Sequence, residues 1–222
     1  MPQPKAATRG EQLVDDLRAD LLSGSFAPGA PLRLVSLAER FGTSVAVVRE
    51  ALLRLSEQHL VTLTPNAGFR VRDVSAQDLD DLTELRVLVE GRAIVDSIGR
   101  GDAAWESRIV ATHHLLDRIP ARAADTGGTS DEWARAHGQF HHALIDACGN
   151  ERLLTMADAL RDSAELYRQL SAERVIASGR DVRAEHTAMR DAALDRRAED
   201  ARALLEDHLR ATAEAIRPTL AG

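Results

Sequence analysis

The tightest constraint on the fold lies between Ser36 and Arg72. Ser36 reads as the N-cap of a short helix, Leu37 to Phe41, which Gly42 ends. Ser44 follows as a second N-cap and opens a helix of about 13 residues, with Val47, Val48, Ala51, Leu52 and Leu55 on its buried side. A short helix, a turn containing glycine and a longer helix make a helix-turn-helix. Leu60 to Thr64 then reads as a strand, Pro65-Asn66-Ala67-Gly68 as a tight turn and Phe69 to Arg72 as the return strand. Upstream, Leu13, Leu17, Leu21 and Leu22 recur at helical spacing within residues 11–22, before the break at Gly24 to Gly29. Three helices and a hairpin predict a winged helix-turn-helix with a small β-hairpin wing over residues 10–73.

The remainder reads differently. Asp73-Val74-Ser75 is a linker, and beyond it the pattern is helical to the end, near 76–99, 102–118, 130–148, 151–170, 180–195 and 199–216. Pro120 to Ser130 is the clearest loop, and Asn150 after Gly149 is an N-cap. Aromatic residues are 3% of the 222, while Ala and Leu, both strong helix formers, recur throughout. The expected fold is mainly α: the winged helix, followed by an all-α helical bundle over residues 76–218.

Charge divides the chain the same way. Residues 1–74 carry nine basic and eight acidic side chains, and the rest carries 19 and 27. From Arg33 to Arg72 six arginines face only Glu39, Glu50 and Glu57. A locally basic module precedes an acidic body, the distribution that matters for nucleic acid. Cys148 is the only cysteine, so no intrachain disulfide forms; it reads as a small buried apolar residue. Met1 to Gly10 lacks the apolar core of a signal peptide. No apolar run approaches the ~18 residues of a membrane helix. The expected location is the cytoplasm, with no membrane partner.

The segments GSFAPGAPL, SLAERFGTS, VVREALLRLSEQHLV and PNAGFRV resemble the N-terminal domain of GntR-family regulators. ELRVLVEGRA (84–93), HGQFHHALIDACGNERLL (137–154), EHTAMRDAAL (185–194) and EDHL (206–209) resemble the helical effector domain, of FCD type, of the FadR-like subfamily. The resemblance implies a homodimeric transcriptional regulator that binds double-stranded, pseudo-palindromic operator DNA and responds to a small organic acid. Arg49 matches the family's DNA-contacting arginine. Val45, Ala46 and Val47 stand where the subfamily usually has Arg-Thr-Pro, and Ala67 where the wing usually has a basic residue.

The residues support the same assignment. The N-terminal part of a recognition helix lies nearest the base edges. There Ser44 and Arg49 can donate hydrogen bonds, whereas Val45 and Ala46 can only pack on thymine methyls. Arg33, Arg70 and Arg72 are placed for phosphates. For each arginine, ordinary solvated surface is the plain alternative.

Eight histidines remain to be placed. His137 and His141 are four apart and share a helix face with Trp133, Phe140 and Leu144 at its centre and rim. His186 lies with Val182, Met189 and Ala193, and His208 with Leu204, Leu205 and Thr212. Three helices thus direct imidazole toward one core, as metal sites in bundles require. The resemblance puts His141, His186 and His208 on the family's ligand positions and His137 where the family has Asp. Four imidazoles suit a divalent transition metal, zinc first and nickel second, better than a hard cation. His142 points about 100° away from His141; His113 and His114 read as surface, and His59 as structural, near a helix end. Arg86 matches an arginine that often faces the effector cavity and could hold a carboxylate bidentately. Its plain alternative is an ion pair with Glu90, four residues on.

Two other functions compete with the sensor. A metalloenzyme would need a general base, and no HExxH-type motif is present. A purely structural metal needs only the histidines.

Overall fold

A computed structural model describes residues 9–121, 130–177 and 179–220. The chain divides into two compact units, Met1–Val74 and Ser75–Gly222.

In the first unit, α1 (Arg9–Leu22) buries Leu13, Leu17 and Leu21 against α3 (Val45–Glu57), whose Val48, Leu52 and Leu55 are fully covered. Ser44 caps α3 as expected, its Oγ accepting from Val47 N at 3.3 Å. The helix closes in a Schellman turn: His59 N donates to Ser56 O and Leu60 N to Leu55 O. His59 sits there at φ 61°, the left-handed position usually given to glycine, which accounts for its place.

The helix before it, α2 (Leu34–Arg40), begins earlier than expected. Its N-cap is Arg33, not Ser36, and Ser36 lies inside the helix. The cause is a strand the sequence reading missed. β1 (Pro31–Leu32) pairs antiparallel with β3 (Gly68–Val71), so the chain leaves the sheet and turns directly into α2. β3 also pairs with β2 (Val61–Thr64), placing Val61 opposite Val71 and Leu63 opposite Phe69. The result is a three-stranded sheet in the order β1-β3-β2, with the hairpin turning at Asn66 (φ 63°) and Gly68 (φ 79°).

The second unit is all helix: α4 (Ala76–Arg100), α5 (Ala103–Arg118), α6 (Asp131–Ile145), α7 (Glu151–Ala177), α8 (Val182–Leu194) and α9 (Ala198–Ile216). α7 runs on past 170, and α6 stops at Ile145 before the Cys148–Gly149 turn. Of the loop expected at Pro120 to Ser130, residues 122–129 lie outside those described. The helix starts are strongly specified. Ser75, Asp102, Ser130, Asn150 and Asp181 each accept from the backbone N–H three residues on. α4 packs on α7 and α9, α5 on α6 and α8, and α8 on α9. The core between them includes Ile94, Trp105, Ile109, Phe140, Leu144, Cys148, Met189 and Leu205. Among the described residues no helix is long and apolar enough to cross a membrane.

Candidate metal centre and DNA-reading surface

His137 and His141 of α6, His186 of α8 and His208 of α9 converge. One nitrogen from each lies within 4.8 Å of the others. Ring centroids are 4.5 Å apart for His137–His141, 4.9 Å for His186–His208 and 5.1 Å for His141–His208. Phe140 stands edge-on to His141 and His186 and packs the apolar side of the cluster. Trp133, one turn before His137, stacks on it at 4.6 Å, and the Arg168 guanidinium lies 4.9 Å over the Trp133 ring.

Burial sets the protonation of the cluster. It pushes His137, His141 and His186 well below the usual imidazole value, and each is lowered further by its histidine neighbours. His208 is also lowered by burial, against the opposing pull of Glu185. Four neutral imidazoles are the form that binds metal.

The outer contacts orient one of them. Glu185 Oε2 is 2.7 Å from His208 Nδ1. The carboxylate is held in turn by Arg180, whose Nε and Nη2 donate to it at 3.0 and 2.6 Å. Its own burial would raise its pKa, but the bonds to His208 and Arg180 prevail and bring it down to about 2. An ionised Glu185 can only accept, so His208 Nδ1–H donates to it and Nε2 is left as the lone-pair nitrogen, the usual carboxylate–histidine–metal relation. The sequence reading missed Glu185, because its partner lies on another helix.

The cluster fits a metal on its own chemistry. Both ring nitrogens of His141 and Nε2 of His186 are buried with no hydrogen-bond partner. Such atoms cost about 1–3 kcal/mol each when left unpaired. A metal ion bound by these lone pairs removes that cost at the nitrogens it takes.

The other histidines separate. His142 turns away and meets Asp158 at 3.0 Å, outside the cluster. His114 is exposed, as expected. His113 is not: it is 6% exposed, with Nδ1 3.1 Å from Arg190, Nε2 3.3 Å from Thr187 and its ring edge-on to Phe140. Its position was legible, since it falls four residues after Ile109 and three before Leu116 on the buried stripe of α5. Arg86 does pair with Glu90, Nε to Oε1 at 2.7 Å, but inside the protein, with the two side chains 13% and 1% exposed. Its charge acts on both His141 and His208.

In the first unit, Ser44, Val45, Ala46 and Arg49 form the exposed opening of α3. Arg49 lies 6.0 Å over the Phe69 ring, which braces it from the sheet. Arg33 is exposed at the start of α2. Arg70 is exposed but spends Nη1 on Gly29 O at 2.7 Å. Arg72 is half-buried and engaged with other groups.

Residues 9–71 match the family described as bacterial regulatory proteins, gntR family, and residues 81–211 match the FCD domain. The chain belongs to the GntR family. It is similar to the HTH-type transcriptional regulator BphR of Paraburkholderia xenovorans (strain LB400), at 35% identity over 97% of this chain and 89% of that protein. It is similar also to the HTH-type transcriptional repressor GlaR of Escherichia coli (strain K12), at 33% identity over 93% and 94%. A solved GntR transcriptional regulator from Rhodococcus sp. RHA1 has the same architecture, with a TM-score of 0.75 at 26% identity over 95% of this chain and 98% of that one. E. coli McbR/YncC shares the fold at a TM-score of 0.75, with 20% identity over 96% and 98%. As a GntR-family member with an FCD domain, the protein is a DNA-binding transcriptional regulator and not an enzyme.

Proposed function

We propose that this GntR-family regulator acts in the cytoplasm as a homodimer on a pseudo-palindromic operator, and that a small organic acid binding at a metal in its FCD domain sets its affinity for DNA. The observation that carries the reading is the buried four-histidine cluster with unpartnered nitrogens, in a chain that also carries a winged helix. His137, His141, His186 and His208 are the ligands, and zinc, or next nickel, is the ion that all-nitrogen donors favour. When bound, the metal supplies a Lewis-acidic positive centre. The chain's own residues do the rest: Glu185 fixes His208, Trp133 fixes His137, and Arg86 places a guanidinium near His141 and His208. A two-fold protein reading two half-sites accounts for the dimer, and the acid shifts the balance between two arrangements by binding one better.

On DNA, Ser44, Val45 and Arg49 are assigned to bases, and Arg33, Arg70 and Arg72 to phosphates. Arg49→Ala is expected to weaken operator binding by about 1–3 kcal/mol. A gel-shift titration on DNA selected from a random pool measures it, and equal affinities remove Arg49 from the contacts.

On the effector side, thermal-shift screening of carboxylates tests the metal's role. A compound at 100 times its Kd should stabilise the metal-loaded protein by about 2.7 kcal/mol. The shift should vanish after chelation and in Arg86→Ala. A compound that stabilises loaded and stripped protein alike assigns the metal a structural role, with four histidines filling its shell.

A further inference from the structure

The exposed face of α3 opens with Val45, Ala46, Arg49 and Glu50. Val45 is 41% exposed, whereas Val48 is fully covered and Val47 half-buried, so the helix has its inner face without Val45. No acidic residue lies in its first turn. The charged groups come one turn later. Arg49 is braced over Phe69, and Glu50 is paired with Arg54 at 2.8 Å. From Val45 to Val47 the helix offers only hydrocarbon.

That hydrocarbon is rigid. A β-branched side chain in a helix keeps essentially one χ1 rotamer, and alanine has none to lose. The Ser44 cap fixes the backbone beneath both residues. Helical side chains lean back toward the start of their helix, so Val45 and Ala46 stand forward of Arg49, at the end nearest the base edges. A rigid apolar surface gains from an apolar partner of fixed position and cannot rearrange to suit a polar one.

The major groove then limits the partner. The only apolar group that a base edge presents there is the methyl on C5 of thymine; every other feature is a hydrogen-bond donor or acceptor. A polar edge covered by Val45 loses its water and receives no bond in return, which is unfavourable. Cytosine carries a hydrogen at C5, but 5-methylcytosine places a methyl where thymine does. Arg49 lies four residues on and on the same face, about 6 Å along the axis. Base pairs are spaced by about 3.4 Å, so the methyl falls within about two base pairs of a guanine held by Arg49.

We infer that Val45, backed by Ala46, reads a 5-methyl group close to the base taken by Arg49, and that thymine or 5-methylcytosine can supply it. The inference rests on the assignment of the opening of α3 to bases. Val45 is thereby a specificity-determining residue, and methylation of cytosine at that position raises the affinity for DNA.

The test is anisotropy titration of the full-length protein, at one salt concentration, on duplexes selected from a random pool. Each thymine is replaced in turn by deoxyuridine, which removes the methyl and nothing else. At one position the loss should be about fourfold for each methyl removed, the value of one buried methyl group. Cytosine and 5-methylcytosine are then placed at that position, and the methylated base should bind about fourfold tighter than the unmethylated one. Whichever of the thymine and 5-methylcytosine duplexes binds tighter identifies the base that the protein prefers. Val45→Ala should bind the thymine and deoxyuridine duplexes equally, and Val35→Ala, which trims a 60% exposed valine on α2, should keep the difference. The first arm alters only the DNA and stands whether or not a variant folds. The inference is overturned if no deoxyuridine changes affinity by more than twofold, if the methyl effect persists in Val45→Ala, or if 5-methylcytosine binds no better than cytosine. Loss of binding in Arg49→Ala without any methyl effect overturns it while leaving α3 as the reading helix. If neither Arg49→Ala nor any base analogue changes affinity, the assignment of α3 falls with it.

Discussion

Purified protein is expected to carry about one transition-metal ion per chain, and His186→Ala combined with His208→Ala is expected to lose it. The two substitutions remove ligands from two different helices and leave His137 and His141, a pair on one helix face, which cannot enclose an ion alone. The energetic effect is large because metal binding to the folded state adds directly to stability. At 1,000 times Kd that linkage is worth about 4.1 kcal/mol. Chelation should therefore lower the melting temperature of the wild type by several degrees and leave the double variant unmoved. His142→Ala supplies the control. It adjoins His141 in sequence but pairs with Asp158 outside the cluster, so it should keep its metal. Elemental analysis after gel filtration reads all three proteins. Stoichiometric metal in the double variant, or its loss in His142→Ala, would overturn the ligand set.

What the sequence conveyed follows from how local each signal is. The recognition helix was legible because Ser44, its buried stripe and the turn after it all lie within about twenty residues and obey helical spacing. The β-hairpin was legible because Pro65 to Gly68 can do little but turn. β1 was not, since two residues show no periodicity and Pro31–Leu32 become a strand only when β3 is beside them. That also hid the true start of α2. In the centre, His137 and His141 announce themselves by spacing and His186 and His208 by the apolar stripes they share, but the joining of the four into one ligand set rests on resemblance to a family. Glu185 was illegible, because a glutamate on a helix that carries many charges becomes special only through a partner on another helix. His113 differs: it lies outside the ligand pattern, yet its place between Ile109 and Leu116 on the buried stripe of α5 makes its burial readable from spacing alone.

Trp105→Ala is expected to destabilise the helical unit by about 3–5 kcal/mol, the range for removing a large buried aromatic side chain. Trp105 is fully buried on α5, and its indole Nε1 donates to Ala143 O at 2.8 Å. Ala143 lies in the last turn of α6, where carbonyls have run out of partners along the helix. The tryptophan therefore fills the core and caps the helix that presents His137 and His141. The two contributions separate by substitution. Trp105→Phe keeps most of the volume and loses the hydrogen bond, and should cost about 1–3 kcal/mol through the unsatisfied carbonyl. Trp105→Ala loses both, and without the cap α6 should fray from the end nearer His141. Chemical denaturation of chelated protein, followed by far-ultraviolet circular dichroism, measures the stability change without metal linkage, and metal titration then reports the centre. Zinc should bind more weakly in Trp105→Ala than in Trp105→Phe, although neither residue touches a ligand. Unchanged zinc affinity in a destabilised Trp105→Ala protein would show that the α6 cap supports the fold alone and not the placement of the histidines.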